Sequence, residues 1–169
     1  NAPKGGKLRL GVLGSFDSLN ANTLKGDPID PGVNETLLAR SLDEPSSEYG
    51  LLAESVWYPE DYSQVVYRLR PEAKFHDGES VKPEDVIFSF ESTKANLPRV
   101  QGYYKDISKV EKTDEREVTF TFSVKGNREL PQITGQISVL PKHWWTGKDS
   151  AGKQRDVSAA GLEAPLGSG

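Results

Sequence analysis

The chain has 169 residues, of which 35% are hydrophobic and 27% charged, which is enough for one packed domain or for one domain and a piece of another. Its net charge of −4 gives no basic field for nucleic acid or an anionic membrane surface, and its three Trp, six Tyr and six Phe argue against disorder. Because Cys is absent, disulfides, thiolate metal sites and cysteine nucleophiles are excluded.

Met is absent, so we expect Asn1 to follow a processed, trimmed or excerpted start. No apolar run approaches the roughly 18 residues of a membrane span, and no signal peptide is visible, as would also be true after its removal. Residues 162–169 favour either a flexible tail or a linker at which a longer chain was cut.

The first predicted elements are a strand and a short helix. Leu8, Leu10 and Val12 alternate within residues 7–14, which predicts a strand. Residues 20–32 contain several Gly and Pro and are expected to form a loop. Pro31 is suited to the first turn of a helix, so we expect a short helix to run on to about residue 38.

The middle of the chain predicts a hairpin followed by a helix. Residues 52–58 and 64–70 are strand candidates, and the five residues between them are the right number for a hairpin loop. Pro83-Glu84-Asp85 is typical of a first helical turn, because Pro suits N1 and carboxylates favour the positive end of the helix dipole. The helix is expected to end before Pro98.

The last strands complete a mainly antiparallel α+β fold. Residues 106–112 form a weaker strand candidate, whereas residues 118–124 alternate strictly with strong β formers. Asn127 can cap a short helix that begins near residue 128. We expect residues 50–160 to form a compact unit. Its core is expected to include Val65, Tyr67, Leu69, Phe88, Phe90, Val118, Phe120 and Phe122.

The sequence contains no recognisable catalytic or metal-binding set. His76 and His143 are far apart and belong to no metal motif, which favours packing roles. Glu84 and Asp85 point about 100° apart on a helix, which is poor geometry for shared acid–base work. The Trp pair at residues 144–145 is either a stacking platform or, as we favour, packing. We therefore expect a binder with no cofactor rather than an enzyme.

Four consecutive motifs resemble a known family. Residues 52–57, 66–70, 73–78 and 83–91, which include Ala-Lys-Phe-His-Asp-Gly and Pro-Glu-Asp-Val-Ile-Phe, are similar to the signature of the family 5 extracellular solute-binding proteins. These proteins bind oligopeptides, dipeptides or nickel for ABC importers. The strand at residues 118–122, the segment 139–143 and the end at residues 165–169 extend the resemblance. Residues 2–6, 13–20 and 126–133 look most like the YejA-type subgroup, associated with uptake of peptides and peptide antibiotics.

The resemblance implies a two-lobed periplasmic-binding-protein fold of type II, in the peptide-binder class. Family members are several times longer, so the chain is expected to be an N-terminal fragment. Residues 1–45 would belong to the first, large lobe, residues 46–160 to a small α+β insert domain, and residues 161–169 to the return into the large lobe.

The implied function is capture of peptides or peptide-like solutes in the periplasm, after signal-peptide removal, and their delivery to an ABC permease in the inner membrane. The implied receptor is a monomer that binds no nucleic acid. The alternative left open is a stand-alone structural or interaction module with no solute site.

The resemblance also implies ligand-binding residues. In the family, the loop after the first strand runs along the cleft and pairs with the ligand through its backbone, and here that loop is residues 15–28. Gly26 permits close backbone approach, and Lys25 and Asp27 can meet a peptide carboxylate and amine. Tyr103 and Tyr104 resemble an aromatic cleft edge. The expected ligand-binding residues are Ser15, Phe16, Asp17, Lys25, Gly26, Asp27, Tyr103 and Tyr104.

Overall fold

The computed structural model describes residues 11, 14–23, 25, 28, 32–44 and 47–169. A four-stranded antiparallel sheet with the order β3-β4-β6-β5 lies at its centre. The strands in chain order are β1 (Leu38–Arg40), β2 (Glu48–Gly50), β3 (Ala53–Trp57), β4 (Gln64–Leu69), β5 (Ile107–Asp114) and β6 (Glu117–Phe122). The helices are α1 (Pro83–Asn96), α2 (Pro98–Tyr104), α3 (Glu129–Gly135) and α4 (Lys142–Trp145).

The core lies between this sheet and α1. The period-two alternation of β4 and β6 points one set of side chains inward, and pairing sets Val65 opposite Phe120 and Tyr67 opposite Val118. Phe90 of α1 meets the Phe120 ring edge-on with centroids 5.8 Å apart. Seven of the eight predicted core residues are buried, whereas Phe88 is only half-buried.

α1 begins where the sequence predicts. Asp85 accepts hydrogen bonds from the backbone N–H of Lys82 at 2.8 Å and of Lys142 at 2.9 Å. Its carboxylate therefore caps the N-terminal turn of α1 and also holds the start of α4 against it. The Ser89 hydroxyl accepts the N–H of Leu140 at 2.8 Å, which adds a second link between α1 and the chain before α4.

The N-terminal third contains a strand where the sequence predicts a helix. The prediction of a short helix from Pro31 to about residue 38 is wrong. The described residues 33–37 are irregular, and Leu38–Arg40 is a strand paired with β2. The physical reason is non-local: the Leu37 carbonyl accepts the N–H groups of Leu51 and Ala53, and Thr36 pairs with Ser138. The strand predicted at residues 7–14 lies almost wholly outside the described residues.

The Gly-rich residues 167–169 pack onto this N-terminal segment. The N–H groups of Ser168 and Gly169 donate to the Val33 carbonyl at 2.9 and 3.0 Å. A Cβ on Gly167 would collide with the same carbonyl oxygen, so glycine is required there by close approach. The backbone N–H of His76 donates to the Gly167 carbonyl at 2.9 Å.

Candidate functional site

The loop predicted to line a ligand cleft is held by buried polar side chains. Asn20 donates from its amide to two carbonyl oxygens within residues 157–159, at 2.8 and 2.9 Å. The Thr23 hydroxyl donates to the Ser158 carbonyl at 2.6 Å. Because both side chains are buried, these bonds hold the described part of the loop, in which no helix or strand occurs.

The predicted loop residues fall into three groups. Ser15, Phe16 and Asp17 are exposed, and Phe16 has 48% of its surface in contact with solvent. Lys25 is also exposed, with Nζ 3.3 Å from the Ser158 hydroxyl. This places the Lys25 ammonium group near Asp156. The pKa of Asp156 is lowered chiefly by its hydrogen bond from the Ser158 hydroxyl. Gly26 and Asp27 lie outside the described residues.

The two predicted tyrosines have different environments. Tyr103 is 65% exposed at the end of α2. Tyr104 is 7% exposed and packs on Phe90, with ring centroids 5.3 Å apart. Burial raises the pKa of the Tyr104 hydroxyl. Tyr104 is thus anchored in the core, and Tyr103 presents its ring to solvent.

A groove of about 400 Å³ brings part of the loop and Tyr104 together. The N-terminal loop, the end of α1, α2 and residues 136–138 form its walls. Its described lining residues are Ala21, Asn22, Thr23, Pro28, Asn34, Thr93, Leu97, Arg99, Val100, Tyr104, Gln136, Ile137 and Ser138. This volume lies in the range typical of small-ligand sites. Tyr103, Lys25 and residues 15–17 do not line it.

Among the lining residues that the sequence did not predict are Asn34 and Arg99, whose side chains are polar. The Asn34 side-chain oxygen is shielded from solvent and has no hydrogen-bond partner within the described ranges. Arg99 is exposed and forms no ion pair with any described carboxylate. Neither belongs to a motif, so no sequence signal marked them.

Larger and smaller hollows lie away from the predicted residues. One of about 740 Å³ is bounded by β2, β3 and α3, and includes Tyr49, Tyr58 and Arg128. Another of about 280 Å³ lies beside Trp144 and Arg155. The largest of these three volumes is therefore not at the groove beside the loop. We place the candidate site at the 400 Å³ groove because it alone of these three joins the loop to Tyr104.

The remaining residues considered in the sequence have packing contacts. Trp145 is buried and meets Trp144 edge-on at 4.7 Å, while the Arg155 guanidinium lies 4.1 Å from the Trp144 ring centroid. His143 binds Asp77 at 2.7 Å, and this hydrogen bond lowers the pKa of Asp77. In the part of the chain that the structure describes, no three His, Asp or Glu side chains gather to hold a metal ion.

Among the described residues, none of the helices combines the length and apolar character needed to cross a bilayer. The longest is α1, with 14 residues.

Comparison with known proteins identifies the family. Residues 48–169 match the profile of the bacterial extracellular solute-binding proteins, family 5 middle. The chain is 49% identical over 170 residues to the probable peptide-binding protein YejA of Agrobacterium fabrum, covering 99% of this chain and 28% of that protein. It is 40% identical over 178 residues to the peptidoglycan-binding protein YepA of the same bacterium, covering 98% and 28%.

A solved structure shows the same fold. The periplasmic oligopeptide-binding protein of an oligopeptide ABC transporter from Thermotoga maritima superimposes with a TM-score of 0.63 at 27% identity. The match covers 81% of this chain and 25% of that one.

The chain thus spans little more than a quarter of the length of the curated relatives it matches. Both relatives are named as binding proteins. The profile match, the sequence identity and the antiparallel α+β fold agree with one another. The chain belongs to the family 5 bacterial extracellular solute-binding proteins.

Proposed function

We propose that the chain is the N-terminal part of the solute-binding component of an ABC importer. The full-length protein captures peptides or peptide-like solutes in the periplasm and delivers them to a permease in the inner membrane. One observation carries the proposal: 49% identity over 170 residues to a probable peptide-binding protein. The receptor works as a monomer and uses neither catalysis nor a cofactor.

The residues of this chain form one wall of the ligand cleft. Ser15, Phe16, Asp17 and the 25–27 loop lie along this wall, with the backbone at Gly26 close to the ligand. Lys25 and Asp27 supply charges for the termini of a peptide. The other wall comes from the rest of the full-length protein, and the two lobes close on the ligand.

Tyr103 and Tyr104 have separate roles in this wall. The exposed Tyr103 ring lies against the ligand, since an aromatic ring with a polar hydroxyl suits a surface that is wet on one side. Tyr104 positions Tyr103, because the contact between the Tyr104 and Phe90 rings holds the end of α2 against α1. Of this proposed wall, the groove beside Tyr104 brings together Tyr104 and the loop residues Thr23 and Pro28, whereas Tyr103 and Lys25 lie outside it.

Calorimetric titration of the full-length protein with a peptide mixture tests this site. We expect the Lys25→Ala/Asp27→Ala double variant to lose about 1 kcal/mol or more of binding free energy per broken charged contact. Tyr103→Ala should also weaken binding, because the ring no longer covers the ligand. Lys109→Ala, which removes an exposed lysine from β5, is the matched control. Unchanged affinity in both site variants, with folding intact, would move the site elsewhere.

A second candidate function rests on a different surface. Along and beside β3, Val56, Trp57 and Tyr58 are 39%, 56% and 42% exposed. Exposed apolar side chains on a sheet edge favour a protein-interaction module, the alternative to a solute site. Trp57→Ser with Tyr58→Ser would abolish association with a partner under this alternative, and would leave peptide affinity unchanged under the proposed function.

A further inference from the structure

Lys25 of the proposed ligand wall is held by described residues at both of its ends. Its backbone N–H donates to the Thr23 hydroxyl at 3.1 Å, and its Nζ lies 3.3 Å from the Ser158 hydroxyl. Thr23 and Ser158 are themselves joined, because the Thr23 hydroxyl donates to the Ser158 carbonyl at 2.6 Å. The three residues therefore form a closed ring of contacts, although Ser158 lies 133 residues from Lys25 in the sequence.

Asp156 fixes the direction of the Ser158 hydroxyl. One of its carboxylate oxygens accepts the backbone N–H of Ser158 at 2.8 Å and the hydroxyl of the same residue at 2.7 Å. A hydroxyl has one hydrogen, so this hydrogen goes to the carboxylate and the oxygen lone pairs remain for a donor. The Lys25 ammonium group has donors and no acceptor, which makes it the matching partner. Donation therefore runs from Lys25 to Ser158 and from Ser158 to Asp156.

The Asp156 carboxylate remains ionised at neutral pH. Its pKa is lowered chiefly by the Ser158 hydroxyl, and the Ser158 backbone N–H and the charges of Lys25 and Lys153 act in the same direction. A charged acceptor strengthens the hydrogen bond that it receives. The carboxylate also attracts the Lys25 ammonium group, so the hydrogen bond and the charge hold this group at the same place.

This arrangement matters for binding because Lys25 is exposed. Immobilising a long, exposed side chain on a ligand costs conformational entropy. The bond to Ser158 restricts the ammonium group before the ligand arrives, so part of that cost is already met in the free receptor. It uses one of the three donors of the ammonium group, and a ligand acceptor can take another. A single exposed hydrogen bond of 3.3 Å is weak, so the effect on affinity is a few-fold.

We propose that Ser158, oriented by Asp156, is a positioning residue for Lys25 and thereby raises the affinity of the receptor for its ligand. This inference rests on the proposed function, in which Lys25 contacts the ligand. Ser158 does not touch the ligand and acts through Lys25. Ligand binding then depends on residues 156–158, to which neither the sequence motifs nor the family resemblance assigns a role.

The test is a double-mutant cycle in the full-length protein. The probe is the peptide that the wild type retains most tightly from a pool of random tri- to pentapeptides. Calorimetry measures its affinity for the wild type, Ser158→Ala, Lys25→Ala and the protein with both changes. Ser158→Ala removes only the hydroxyl, and the backbone bonds of Ser158 with Thr23 and Asp156 remain.

We expect Ser158→Ala to lose about threefold in affinity and Lys25→Ala about fivefold or more. The double variant should bind as Lys25→Ala does, because the Ser158 hydroxyl has no effect once the ammonium group is gone. Ser158→Thr keeps a hydroxyl and should restore affinity to within about twofold of the wild type. A merely structural role of Ser158 would lower the affinity equally with and without Lys25.

Ser55→Ala is the matched control, since it removes an exposed serine hydroxyl from β3 and should leave the affinity unchanged. Circular dichroism establishes that each variant is folded. If Ser158→Ala is unfolded, Ser158→Gly removes the same hydroxyl and takes its place in the cycle.

The outcomes separate this inference from the proposed function. If the wild type retains no peptide of the pool, the proposed function and the inference both fail. If the wild type binds a peptide and either folded single variant keeps the wild-type affinity, the inference fails and the proposed uptake of peptides stands. Losses that multiply in the double variant also overturn the inference, because Ser158 then acts independently of Lys25.

Discussion

Single residues in the turns of this chain carry measurable charge effects. Asp61, in the loop between β3 and β4, accepts the N–H of Ser63 at 3.1 Å and lies 2.9 Å from Lys125 Nζ. Hydrogen bonding by the Ser63 side chain, then by Lys125 and by the Ser63 N–H, lowers the pKa of Asp61 from 3.8 to about 2. Because the pKa in the folded state is depressed, the stabilisation is complete above pH 3.8 and is lost as pH falls through about 2.

An NMR titration of the Asp61 carboxyl carbon should therefore give a midpoint near pH 2. Lys125→Ala should raise this midpoint, because the ammonium group no longer favours the ionised form. Lys105→Ala, which removes a distant lysine, should leave it unchanged. A wild-type midpoint at 3.8 would contradict the hydrogen bonds described for this loop.

Gly167→Ala tests the packing of the C-terminal residues on Val33. The added methyl group would overlap the Val33 carbonyl oxygen, so we expect a loss of about 1–3 kcal/mol in the free energy of unfolding. Gly161→Ala is the control, since nothing lies within 4 Å of its added Cβ, and it should change stability by less than about 0.5 kcal/mol. Urea denaturation followed by Trp fluorescence measures the free energy of unfolding of both variants and of the wild type. A Gly167→Ala protein as stable as the wild type would show that this contact is absent.

At the scale of elements, Asp85 joins two helices. Asp85→Ala would leave the N–H groups of Lys82 and Lys142 without acceptors, and we expect a loss of about 2–5 kcal/mol in stability. The Asp85→Asn variant keeps one acceptor oxygen but turns its NH₂ group toward the other backbone N–H, so it should lose less stability than Asp85→Ala and remain less stable than the wild type. Thermal denaturation compares the two variants. An Asp85→Ala protein as stable as the wild type would mean that the cap does not join α1 to α4.

The elements that the sequence predicted are those with local signals. β4, β6 and α1 follow from strict alternation and from Pro83-Glu84-Asp85, and the structure confirms all three. β1 and β2 could not be predicted, since each has three residues and is fixed by pairing with distant backbone. The helix predicted for this segment is absent from its described residues because the Leu37 carbonyl accepts the backbone N–H groups of Leu51 and Ala53.

The candidate site was predictable only in part. The family resemblance drew attention to the 15–28 loop and to Tyr103 and Tyr104, and the structure brings Tyr104 and part of that loop to one groove. Asn34 and Arg99 could not be found in the same way. That a side chain lacks a partner among the described residues becomes visible only when the fold shows what surrounds it.

At the scale of the whole molecule, we propose that this chain supplies one wall of a clamp. It spans 28% of the length of the Agrobacterium fabrum YejA protein, so affinity for a solute depends on residues beyond it. A desolvated cleft forms only when both walls meet, and charged contacts on one open wall remain screened by water. The chain alone should therefore bind peptides far more weakly than the full-length protein, and parallel calorimetric titrations compare the two.

The most direct test of the central claim is retention of peptides by the full-length protein. The protein is equilibrated with a defined peptide pool and, separately, with a mixture of free sugars, then ultrafiltered, and the retained solutes are identified by mass spectrometry. The account predicts stoichiometric retention of peptides and no retention of sugars. Passage of every peptide through the filter, with the protein folded, would contradict it.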